Sequence, residues 1–123
     1  RKKIQTEQKN NVIDIDLEID LDSIDGRFYR ILKQFEPFGP VDLNPIFSTE
    51  NLIINSPVRF IGEDKSHVKL ELNTKSAKIN AIGFGIASKF KSLKKQKIDL
   101  CYTLNENYWN NKTTIQLNIK DVF

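Results

Sequence analysis

Two alternating runs in the stretch Lys97–Lys120 meet at Asn110-Asn111, and adjacent asparagines tolerate the positive φ that a type I′ turn needs at both central positions. The pair predicts a long β-hairpin. With that loop the register follows: Leu104 faces Leu117 and Tyr102 faces Ile119 on one side, while Asn105 faces Gln116, Thr103 faces Asn118 and Trp109 faces Lys112 on the other. A slip of one residue would turn every apolar side chain to the wrong face. One face is thus built for a core, and by alternation Tyr108 belongs to it. The other carries amides, hydroxyls and, at the tip, an indole beside an ammonium, which suits a polar polymer better than a protein interior.

A chain of 123 residues and 14.3 kDa holds one ordinary core with an appended element. No apolar run approaches the ~20 residues of a membrane helix, so no membrane partner is expected. The start Arg1-Lys2-Lys3-Ile-Gln-Thr lacks both an initiating Met and the apolar segment of a signal peptide, which reads as a piece cut from a longer chain. The net charge of +3 is uneven: residues 1–49 hold seven basic against nine acidic side chains, residues 50–123 twelve against seven. The basic surface therefore belongs to the C-terminal part. A single cysteine, Cys101, excludes an internal disulfide and fits a reducing cytoplasm. Alternation places it on the outer face with Thr103 as a small filler. Asn111-Lys112-Thr113 fits a glycosylation sequon but reads as chance without a secretory route.

Residues 1–11 are polar and expected to fray or to end a helix. Val12–Asp20 then alternates, with Ile13, Ile15, Leu17 and Ile19 inward and Asp14, Asp16, Glu18 and Asp20 outward. Strand spacing fans those carboxylates along a solvated face at ~6–7 Å intervals, so the run predicts a half-buried strand and no metal site. From Ser23 to Phe35 the period changes: Ile24, Phe28, Ile31, Leu32 and Phe35 predict a helix capped by Asp22 or Ser23 and stopped by Pro37. A turn-rich connector, Glu36–Phe47, follows, and a domain boundary is expected there, dividing 1–49 from 50–123.

Beyond it the pattern is β with one helix. Leu52–Ile61 predicts a long strand interrupted by Pro57, which cannot donate to a ladder. A turn at Gly62–Lys65, a strand at His67–Asn73, a tight turn at Thr74–Ser76 and a strand at Ala77–Phe84 follow. Ile86, Phe90 and Leu93 line one face of a short helix, and a Lys94–Lys97 turn leads into the hairpin. Five strands with a short helix between the third and fourth predict a mainly β OB-fold barrel, here preceded by a strand-helix-connector element.

Several of these stretches resemble the RecJ family of bacterial single-strand-specific 5′→3′ DNA exonucleases. Glu36-Pro-Phe-Gly-Pro with Asn44-Pro45 and Phe47 resembles the family's E-P-F-G-x-G-N-x-x-P-x-F connector. His67-Val-Lys-Leu70 resembles its H-L-K-L strand, and Asn80-Ala-Ile-Gly-Phe-Gly85 its D-A-I-A-F-G run. Asn107-Tyr-Trp-Asn-Asn111, with Ile115-Gln-Leu117 and Ile119-Lys-Asp121, resembles its N-E-W-x-G turn and L-Q-L-x-x-x-D strand. Two departures are Val41-Asp42 in place of Gly-Asn and Asn111 in place of the turn glycine.

The resemblance implies a catalytic half of DHH-phosphoesterase type that uses Mn2+ or Mg2+ in the parent enzyme. No such motif occurs here and His67 is the sole histidine, so this piece is expected to bind single-stranded DNA without cutting it and without a cofactor of its own. Arg59, Lys65, Lys69 and Lys78 are the expected phosphate contacts, with Lys112 beside the tip. Trp109 is the first stacking candidate and Tyr108 the second. His67 and the amides of Asn80, Gln116 and Asn118 complete the expected site. The implied partners are single-stranded DNA and the remaining RecJ domains in cis. The alternative is a docking domain for an acidic partner, such as the tail of a single-strand-binding protein.

Overall fold

The computed structural model describes residues 2–5, 12–34, 45–54, 56–75, 77–93 and 96–123; for 2–5, 12–14, 33 and 109 it describes the backbone alone. The hairpin is its longest feature. Strand β8 (Lys97–Trp109) pairs antiparallel with β9 (Lys112–Val122), and all five pairs expected from the Asn-Asn turn are present. Asn110 and Asn111 have φ of +51° and +59°, the left-handed conformation a type I′ turn imposes. Near the open end the register shifts between Cys101 and Tyr102, so Cys101 faces Asp121.

The remaining strands are β1 (Lys2–Gln5), β2 (Val12–Ile15), β3 (Leu17–Glu18), β4 (Phe47–Ile53), β5 (Arg59–Ile61), β6 (His67–Asn73) and β7 (Lys78–Gly83). The main sheet runs β3-β4-β8-β9-β7-β6-β5, with β7 and β9 parallel. The expected Leu52–Ile61 strand is in fact two. Its two ends fall in β4 and β5, which are separated in the sheet by β8, β9, β7 and β6, so the chain crosses from one side of that order to the other between them, as in a sheet curled into a barrel. Proline at 57 fits this crossing because its missing N–H is not needed there. A second irregularity lies between Thr49 and Leu52, where Asn51 takes a φ of +59° and its N–H donates to Asp99 Oδ1 at 2.9 Å. This bulge bends β4 toward closure. The architecture is the expected mainly β OB barrel, with more strands than the five anticipated.

Helix α2 (Ala87–Ser92) sits between β7 and β8 in sequence and closes one end of the barrel, with Ile86, Phe90 and Leu93 packed on the core. It is latched by a largely buried ion pair. Lys89 Nζ, in a side chain only 12% exposed, pairs with Asp121 Oδ1, which also accepts the Val122 N–H at 2.8 Å. The core runs through Leu70, Leu72, Ile79, Ala81, Leu100, Tyr102, Leu104, Leu117, Ile119 and Val122, all buried.

The N-terminal part departs from simple alternation. Lys2–Gln5, expected to fray, pairs antiparallel with β2, Ile4 facing Ile13. The Val12–Asp20 run breaks at Asp16, whose N–H donates to Ile46 O while its Oδ2 accepts the Ile46 N–H, each at 2.8–2.9 Å. The chain thereby leaves one sheet for the other, so Ile15 is buried while Leu17 is half exposed. Asp16 and Asp20 thus take separate tasks, Asp20 capping a 3-10 turn at Leu21–Ser23. Helix α1 (Gly26–Lys33) starts later than the periodicity predicted: Asp22 accepts the Lys75 N–H at 2.7 Å, and Asp25 is the cap, accepting from Phe28 N at 2.8 Å. Ile24 is buried ahead of the helix, and Ile31, expected inward, is 49% exposed. The connector residues 35–44 lie outside the described residues, as do Lys94 and Lys95. The expected division at 49/50 falls within β4, and Leu21 and Ile24 share the barrel's core. Among the described residues no helix is long and apolar enough to cross a membrane.

Candidate nucleic-acid interface

Strand alternation sends Val68, Leu70, Leu72, Ile79 and Ala81 into the core and leaves the intervening residues of β6 and β7 on the outer face. Register then joins them into rows. Arg59, Lys69, Ile82, Asn118 and Thr103 are successive partners across β5, β6, β7, β9 and β8. Glu71, Asn80, Gln116 and Asn105 make the next row. Apart from Thr103, which is buried, these residues far apart in sequence form one surface rich in amides and carrying Arg59 and Lys69.

The hairpin gives that surface a wall. Pairing of β8 with β4 ends at Tyr102 and pairing of β9 with β7 begins at Gln116, so the ribbon beyond stands clear of the barrel. Every described side chain from Asn105 to Thr114 is exposed. Between ribbon and sheet lies a groove of about 550 Å³ lined by Lys69, Asn80, Asn107, Asn110, Lys112 and Thr114. Asn80 also lines a second hollow, about 260 Å³, with Ser56, Pro57, Arg59, Leu70 and Glu71. The two share Asn80 and together make a track over the second and third barrel strands.

The structure brings Arg59, Lys69, Asn80 and Lys112 onto this track, with Gln116 and Asn118 in the rows beneath the ribbon. Lys78 stands at the start of β7 with its ammonium 3.5 Å from Glu71. Lys65 is exposed in the β5–β6 turn at a φ of +56°, and its N–H donates to Gly62 O at 3.1 Å. In the same turn the Ser66 hydroxyl and N–H bond Asp64 and hold its carboxyl below the usual range. His67 is engaged within the fold, Nδ1 accepting the Gly85 N–H at 2.9 Å. Tyr108, expected to face inward, is 68% exposed, because the ribbon outruns the barrel and has no interior to face. Its ring lies on the opposite side of the ribbon from Asn107, and its hydroxyl donates to Asn111 Oδ1 at 3.1 Å. Trp109 pairs with Lys112 through the backbone, while its side chain lies outside the described part.

Sequence reasoning missed Asn107, Asn110, Thr114 and Phe84. The alternation that paired Asn105 with Gln116 extends to Asn107 and Thr114, and Phe84 continues the outward set Asn80, Ile82, so both signals were present. Cys101 is buried and free, against the expectation of an outer-face position; burial, with Asp121 and Asp99 nearby, pushes its thiol up to about 11. That removes it as a nucleophile at neutral pH. Among the described residues no three His, Cys, Asp or Glu side chains form a metal cluster.

A family model described as the RecJ OB domain matches residues 15–121. The chain belongs to the RecJ OB domain family. The single-stranded-DNA-specific exonuclease RecJ of Bacillus subtilis (strain 168) is 28% identical over 111 residues, 89% of this chain and 14% of the relative. The crystal structure of RecJ in complex with Mn2+ from Thermus thermophilus superposes with a TM-score of 0.57 at 18% identity, covering 79% of this chain and 13% of that one. Its Mg2+ complex gives 0.55 at 17%, covering 78% and 14%. This chain therefore spans about a seventh of its relatives' length, and the structural likeness establishes the barrel fold.

Proposed function

We propose that this chain is the non-catalytic single-stranded-DNA-binding part of a RecJ-like 5′→3′ exonuclease acting in DNA repair and recombination in the cytoplasm. Hydrolysis, and the Mn2+ or Mg2+ it uses, belong in this reading to the rest of the parent chain, whose domains are the partners in cis. The observation that carries it is the continuous track from Arg59 through Asn80 and Lys69 to Lys112 on the face that OB barrels use for oligonucleotides. Three cations meet phosphates, amides meet sugars or base edges, and the open ribbon admits a strand of any sequence. The bases of a duplex are stacked and paired and would not reach these groups.

Titration with oligo-dT at several salt concentrations tests the reading. Three phosphate contacts predict a log–log slope of about −2, and Lys69→Gln or Lys112→Gln should each shallow it by about 0.7. A flat salt dependence would sink the groove. A single-strand-binding protein reaching the same lysines with an acidic tail would instead show up as a peptide that binds as tightly as DNA.

A further inference from the structure

Phe84 is a large apolar ring left 59% exposed on the same face as the track. It follows the last pair of β6 and β7, Val68–Gly83, and lies directly across from His67, the two rings meeting edge-on with centroids 5.3 Å apart and planes at 70°. Same-face residues of a strand are ~6.7 Å apart, which puts Phe84 roughly 13 Å along β7 from Asn80 in the groove.

The ring is held on a rigid shelf. Ile86 Cδ1 and Cγ1 occupy the space a Cβ on Gly83 would take, so a larger residue there would displace the Ile86 side chain. Gly85 turns with a φ of +71°, and its N–H is fixed by His67 Nδ1. His67 in turn lies over Gly62, where an added Cβ would come within 2.9 Å of its Cδ2. An acceptor at Nδ1 puts the imidazole proton on Nε2 and commits the ring to this bond. Glycines, backbone and imidazole together present an aromatic ring to water.

Building on the single-strand reading above, we propose that Phe84 is a base-stacking residue of the DNA track and that His67 is a positioning residue that holds it there. Stacking on an aromatic ring is indifferent to sequence because every base has a π-face, and at this position it would extend the track past the Arg59–Lys69 row.

The test compares oligo-dT with an abasic oligomer of the same length, binding to the 123-residue chain and its variants. Phe84→Ala and Phe84→Leu should each weaken oligo-dT roughly 5- to 100-fold and leave the abasic oligomer unchanged, while Phe84→Trp restores most of the loss. His67→Ala should weaken oligo-dT, His67→Asn, which keeps an acceptor near the Nδ1 position, should weaken it less, and His67→Ala should add nothing in the Phe84→Ala background. Thermal melts confirm that each variant is folded, and Leu stands in where Ala is not. Oligo-dT affinity unchanged in the Phe84 variants, or an equal loss on both ligands, overturns the stacking role; additive losses from the two residues overturn the positioning role. Failure of the unaltered chain to bind either oligomer would instead bring down the groove reading itself.

Discussion

Tyr102 has no exposed surface, and its hydroxyl donates to Thr49 Oγ1 at 2.6 Å, which donates onward to the Ile19 carbonyl at 2.9 Å. This relay joins the barrel to the segment ahead of it. Burial pushes the phenol up to about 12. Both Tyr102 and Cys101 therefore hold their protons more tightly folded than unfolded. The stability this gives is full below pH 9, and it is lost between pH 9 and 11 for Cys101 and between 10 and 12 for Tyr102. A urea midpoint that is flat up to about pH 9 and falls beyond it is the expected profile. Cys101→Ala should remove the earlier part of the fall and Tyr102→Phe the later. At neutral pH Tyr102→Phe should cost about 1 kcal/mol, the net value of a hydrogen bond whose partner keeps its other contact.

Among the elements, the hairpin depends on its turn and α2 on its latch. Both turn asparagines are left-handed, a conformation that costs an ordinary residue about 1–2 kcal/mol, so Asn111→Ala should destabilise the domain by about 1 kcal/mol and Asn111→Gly should not. Urea denaturation of the two variants separates the backbone cost from loss of the Tyr108–Asn111 bond, which both share. Lys89→Met should cost more, about 3 kcal/mol, because Asp121 would remain buried with the Val122 N–H but no cation. Lys89 also lies 4.4 Å from the centre of the Phe123 ring, so its loss loosens the C-terminal end as well. The long strands and their turns were legible because the alternation and the turn residues lie within each element. The start of α1 was not: Asp22, a reasonable cap by position, is taken by the Lys75 N–H from far along the chain.

At the scale of the whole molecule, Leu21 and Ile24 with Phe28, Tyr29 and Leu32 pack on the core that the barrel strands build. A division at 49/50 would cut that core, so we expect one cooperative unfolding transition, with far-UV circular dichroism and aromatic fluorescence giving the same urea midpoint. Two separated transitions would support the two-part division instead. The basic stretch 50–123 visible in the sequence supplies the lysines that line the groove.

Period-two patterning and the Asn-Asn turn determined the hairpin, its register and the wet and dry faces of β6 and β7, because those choices rest on neighbours a few residues apart and on the pleat itself. Tertiary structure alone decided the splitting of β4 from β5, the Lys89–Asp121 latch and the His67–Gly85 bond beneath Phe84. Each of those depends on which distant segment arrives alongside. Barrel closure settles that, and a one-dimensional pattern does not encode it.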